Sequence, residues 1–157
     1  MTITDADLDA ARVAWGDGLV AIAKAYEADG IDGARPVASD IINAAYGYAL
    51  GPVLFKPTMA SGDQTFRPTK AGALSYFVGH DDDFPHDGGF GLKGWRHVTS
   101  ETAASFIDGD TAMWMGWVIM TDKDGQVTTV DKSFGYTRDA DGALRIVLHH
   151  SSFPYQR

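Results

Sequence analysis

Near the end of the chain two histidines and two serines follow an apolar run, in Leu148-His149-His150-Ser151-Ser152-Phe153-Pro154. A lysine, Lys132, stands in the β-type run before it. An imidazole takes or gives a proton near neutrality, and a pocket cation polarises a carbonyl or holds a carboxylate. Lys132 has the parity of Val130, Phe134 and Tyr136, so a strand would direct its side chain into their apolar face. A charge there needs an anion, from the protein or from a ligand. Asp131 has the opposite parity. Lys132 therefore either snorkels to water along its stem or serves as the cation of a pocket. Neighbouring strand residues face opposite ways, so one of His149 and His150 points inward. That histidine is either a structural imidazole or a general base. Ser151 and Ser152 are not read as nucleophiles, because no Gly-x-Ser-x-Gly elbow holds them and consecutive strand residues cannot form a triad.

Other candidates lie upstream. Arg67, in Thr65-Phe66-Arg67-Pro68-Thr69, has the planar fork that receives a carboxylate. Trp95 and Arg96 fall on a strand near the expected rim, and Tyr48, Tyr76 and Tyr136 offer hydroxyl donors. The ligand-binding set is thus Lys132, Arg67, Tyr136, Trp95, Tyr48 and Arg96, for a small anionic or carbonyl compound. The loop His80-Asp81-Asp82-Asp83-Phe84-Pro85-His86-Asp87 has metal-type side chains, but their spacing fits neither a calcium loop nor a helical histidine pair. It reads as a solvated acidic loop, and neither a metal nor another cofactor is expected. With no cysteine, disulfides, thiolate zinc and cysteine nucleophiles are excluded. A net charge of −8 disfavours nucleic acid. The acidic start (Asp5, Asp7, Asp9) is unlike a signal peptide, and no apolar run approaches the roughly 20 residues that span a bilayer. A cytoplasmic protein is expected, without membrane contact.

These side chains must be positioned by a small set of elements. Thr4 can cap a helix over residues 4–29, with Leu8, Ala11, Trp15, Leu19, Ile22 and Tyr26 as one apolar stripe. Gly30 and Gly33 end it. A second helix starts near Pro36 and stops at Gly51-Pro52, followed by short strands over 53–58 and 65–69. Thr69 can cap a third helix. Four strands follow, over residues 92–107, 111–121, 127–138 and 143–152, with Asp-Gly at each turn between them, the signature of tight antiparallel hairpins. Helices first and strands afterwards give a single α+β domain over residues 1–157, with the helices on one face of a curved, mostly antiparallel sheet. The strand at 111–121 is apolar on both faces: Met113, Met115, Trp117 and Ile119 on one, Ala112, Trp114, Val118 and Met120 on the other. Helices can cover only one face, so a homodimer through the outer face is predicted.

The element order and the ending His149 to Ser152 to Phe153-Pro154 resemble the nuclear transport factor 2-like and SnoaL-like superfamily. More narrowly, they resemble the association domain of calcium/calmodulin-dependent protein kinase II and its bacterial relatives, whose last strand carries a His-x-x-Ser-x-x-Pro pattern, here matched to within a position. The resemblance implies a cone-shaped α+β barrel whose mouth is closed by the N-terminal helix, and oligomerisation through the sheet. It implies no single chemistry. Two functions follow. One is a small-molecule-binding and oligomerisation domain with a polar pocket. The other is a SnoaL-like isomerase, cyclase or dehydratase with His149 or His150 as base beside Lys132 or a tyrosine. No strand-interior carboxylate has the apolar parity that steroid-isomerase chemistry needs, which favours binding over catalysis.

Overall fold

Thr4 starts the longest element through a reciprocal cap, its hydroxyl accepting from the Asp7 amide while the Asp7 carboxylate accepts from its own. The computed structural model describes residues 2–157. Helix α1 (Asp5–Ala45) breaks at Gly30, whose φ of 67° and ψ of −157° are open to glycine at little cost. Gly30 thus ends the first segment as expected. The second segment resumes at once rather than near Pro36, which lies inside it. The two segments fold against each other at Gly18, where a Cβ would stand 2.8 Å from the Ile41 side chain.

Strand β1 (Leu54–Lys56) is followed by a 3-10 turn (Gly62–Gln64) and by helix α2 (Lys70–Val78), capped by the Thr69 side chain. The strand expected over 65–69 does not form. Arg67 donates its amide to the Phe55 carbonyl, but Pro68 has no N–H to extend a ladder. A second 3-10 turn (Phe90–Leu92) precedes β2 (Trp95–Asp108), β3 (Thr111–Asp122), β4 (Val127–Arg138) and β5 (Leu144–Ser152). The sheet order is β1-β5-β4-β3-β2, antiparallel except where β1 runs parallel to β5. Gly109, Gly125 and Gly142 take positive φ in the hairpin turns. Register shifts bend the sheet, one in β2 between Thr102 and Ala104 and one where Gly135 pairs with Leu148 but Tyr136 with Ile146.

The concave face closes over α1 and α2. From β3 it buries Ala112, Trp114, Val118 and Met120, from β4 Val130, Lys132, Phe134 and Tyr136, and from β5 Ile146, His149 and Ser151. These pack against Leu8, Trp15, Leu19 and Ile22 of α1 and Phe77 of α2. Phe106, Met113, Met115 and Trp117 stand exposed on the convex face. The result is an α+β fold of helices on a strongly bent, mostly antiparallel sheet. No helix among the described residues is long and apolar enough to cross a membrane.

Candidate functional site

Lys132 on β4 faces Ser151 on β5 in the strand register, and His149 sits two residues earlier on the same inward face. The register shift beside Gly135 produces this. By strict alternation from Ile146, His150 would point inward; the extra residue in β5 turns His149 inward instead and leaves His150 exposed. The His149 ring is held between Phe55 and Phe134, with centroids 4.6 and 4.5 Å away.

Around this pair runs one chain of hydrogen bonds. The Trp15 indole N–H donates to the Tyr46 hydroxyl at 3.0 Å, and that hydroxyl lies 2.8 Å from His149 Nδ1. His149 Nε2 is 2.8 Å from Lys132 Nζ, which donates to Ser151 Oγ at 3.1 Å. Ser151 Oγ and Thr58 Oγ1 are 2.6 Å apart, and the Thr58 side chain neighbours the Tyr76 hydroxyl. Tyr76 also accepts the Met59 amide at 3.2 Å and lines a cleft of about 230 Å³ with Met59, His86, Gly88, Phe90 and Lys93. The chain thus leads from the core to the cleft.

No carboxylate touches Lys132. Burial is the main reason its ammonium is destabilised; Lys56 adds repulsion, Asp131 offsets part, and its pKa falls to about 7. Burial also lowers His149 well below the ordinary imidazole range, with Lys132 contributing, so the ring is neutral. Tyr76 is pushed up to about 12, chiefly by burial, and remains a hydroxyl. An amine that titrates near neutrality, bonded to neutral hydroxyls and an imidazole, can take up and release a proton. The hydroxyls can orient a small oxygen ligand.

The other predicted residues lie apart from this chain. The Arg67 guanidinium is buried and occupied by Asp87, with two contacts of 2.7 Å, and it also donates to the Gly72 carbonyl. Asp87 further accepts from Ser75. The acidic loop is therefore not solvated throughout: its last carboxylate is pinned inside, beside the cleft. Tyr48 donates to the Arg67 carbonyl. Trp95 is a core residue whose indole donates to the Phe90 carbonyl, and Arg96 forms a surface ion pair with Glu27. Tyr136 is buried beside a separate apolar recess lined by Ala11, Ala14 and Ile41. Among the described residues no three His, Asp or Glu side chains converge as a metal site. Trp15, Tyr46, Thr58 and Ser151 were absent from the predicted ligand set. Ser151 shares the parity of His149 and so carried a signal; the others arrive from distant elements.

A family model described as metal-independent carbonic anhydrase matches residues 6–153. A relative from Nostoc sp., described in the same words, is 54% identical over 155 residues, covering 99% of this chain and 76% of its own. The crystal structure of a cyanobacterial iota-carbonic anhydrase complexed with bicarbonate superimposes with a TM-score of 0.98 at 53% identity, over 99% of this chain and 95% of that one. A calcium/calmodulin-dependent protein kinase II association domain from Xanthomonas campestris matches at a TM-score of 0.50 and 20% identity, over 91% and 84% of the two chains. A nuclear transport factor 2-like protein from Salmonella enterica does so at 0.50 and 16%, over 94% and 93%. The last two share the fold alone. The resemblances to the superfamily and to the association domains hold at that level, and the family model and the relative of high identity give the more specific kinship.

Proposed function

The chain belongs to the metal-independent carbonic anhydrase family, and we propose that it interconverts carbon dioxide and bicarbonate at the inner end of the Tyr76 cleft. One observation carries this reading: the row of hydroxyls Tyr76, Thr58 and Ser151 ends directly on an amine that titrates near neutrality. Hydration needs those two parts, a place for a trigonal oxyanion and an acceptor for one proton. The bicarbonate held by the cyanobacterial structure is a ligand of the small anionic kind this row would take.

In the hydration direction a water held by the hydroxyl row attacks the carbon of CO2. Its oxygen forms the new C–O bond, one C=O π pair moves onto oxygen, and a water proton passes along the row to the Lys132 lone pair. The products are bicarbonate and the Lys132 ammonium, which returns its proton to solvent before the next turnover. Tyr76, which stays protonated, donates to the developing oxyanion. Kinship with the family favours the catalytic alternative over plain binding, with Lys132 as the base, His149 beside it, and Ser151, Thr58 and Tyr76 as ligand contacts. Arg67, through Asp87, and Trp95, through Phe90, support the wall of the cleft from outside, and Tyr48 bonds the Arg67 carbonyl; Arg96 and Tyr136 stand away from it.

The convex patch of Phe106, Met113, Met115 and Trp117 supports assembly as a homodimer through the sheet. Stopped-flow hydration of CO2 with a pH indicator tests the activity. The purified protein should accelerate acidification in proportion to its concentration; a rate equal to buffer alone refutes the reading.

A further inference from the structure

The hydrogen-bond chain has a direction, and one end fixes it. An indole N–H can only donate, so Trp15 donates into the Tyr46 oxygen. Tyr46 is buried among aromatic rings, and its hydroxyl touches two polar atoms, the Trp15 nitrogen and His149 Nδ1. The hydroxyl hydrogen therefore has one acceptor available, Nδ1. If Nδ1 carried a hydrogen instead, Tyr46 would accept from both sides and its own hydrogen would be stranded in the core, the costlier arrangement. With Nδ1 accepting, a neutral His149 carries its hydrogen on Nε2. That N–H points at Lys132 Nζ across 2.8 Å. An ammonium would place an N–H against an N–H there, whereas a free amine offers its lone pair. Its two remaining hydrogens have partners, Ser151 Oγ at 3.1 Å and the Trp15 ring, whose centroid is 4.8 Å from Nζ.

We infer that Trp15 and Tyr46 lock His149 in the Nε2–H tautomer and thereby hold Lys132 as an uncharged amine, which takes the proton of the reacting water when Nζ turns its lone pair from His149 toward Ser151. Trp15, Tyr46 and His149 are positioning residues in this scheme and Lys132 is the base, a refinement that rests on the proposed hydration reaction for its role but not for its geometry. The scheme also explains how the base discharges: once protonated, Lys132 faces the His149 N–H and expels the proton back along the hydroxyl row. The charged groups around Nζ are Lys56 from β1 and Asp131 beside it on β4; α1 presents Trp15. None of these charged groups bonds to Nζ.

The test is nitrogen-15 NMR of histidine- and lysine-labelled protein, compared with Tyr46→Phe. In the native protein His149 should show a protonated Nε2 and a bare Nδ1, and Lys132 an amine resonance at pH 8. Tyr46→Phe frees His149 to exchange tautomers and accept from an ammonium. The Lys132 titration, and with it the pH midpoint of hydration, should then move up by about one unit. A protonated Nδ1 in the native protein, or an ammonium at pH 8, overturns the inference whether or not the variant folds. The tautomer is read without substrate. An inactive native protein with the Nε2–H form and a free amine would therefore support the inference while refuting the proposed reaction.

Discussion

Replacing Lys132 by methionine removes the titrating nitrogen and keeps most of the stem, so it isolates the contribution of the buried amine to stability. In the folded protein the pKa is about 7, against 10.5 for an exposed lysine. Between those values the unfolded chain binds a proton that the native state does not, so stability rises with pH across that window. Below pH 7 both states are protonated and the full penalty applies. Integrating over pH 7 to 9, with the native group half charged at the start, gives a gain of about 2 kcal/mol. Lys132 is only 4% exposed, so solvent screening takes little from this. Urea unfolding of both proteins at pH 7, 8 and 9 measures it, and the difference between native and Lys132→Met cancels the other titrating groups. Native stability should climb relative to the variant by about 2 kcal/mol. A flat difference, or one that falls as pH rises, refutes the claim that this amine is destabilised by burial.

The remaining predictions concern the row, its wall and the outer face. Ser151→Ala and Tyr76→Phe should each lower kcat/KM for CO2 hydration by about 100-fold, the cost of losing one preorganised donor or relay, with the far-ultraviolet circular dichroism unchanged. Asp87→Ala leaves the buried Arg67 guanidinium unpaired and should destabilise the fold by about 3–5 kcal/mol in urea unfolding; Arg67→Met with Asp87→Leu should cost less than the single change. Trp117→Glu, on the exposed convex face, should convert a dimeric mass to a monomeric one in sedimentation without loss of folded structure.

Much of this arrangement is legible in the sequence. The parity of Val130, Phe134 and Tyr136 places Lys132 inward, because strand alternation depends only on local backbone geometry. The Asp-Gly turns mark the meander for the same reason. His149 is where local reading stops: alternation from Ile146 points to His150, and only the extra residue opposite Gly135 reverses it, a property of the β4–β5 pairing. Arg67 looks in the sequence like a ligand cation because nothing local ties it to Asp87, twenty residues on. Trp15 lies on the expected helix stripe, yet its indole meets Tyr46 only because α1 breaks at Gly30 and folds back. The missing strand-interior carboxylate favours binding because it removes the usual base; in the proposed reaction a lysine made neutral by burial would be a base of another type.

The loss of oxygen-18 from labelled CO2, followed by mass spectrometry in native protein and in Ser151→Ala, tests the central claim most directly, since it reads interconversion at equilibrium without net proton release. The native protein should speed label loss well above the uncatalysed rate and Ser151→Ala should lower that acceleration by about 100-fold. Label loss at the uncatalysed rate in the native protein, or full activity in Ser151→Ala, would contradict the account.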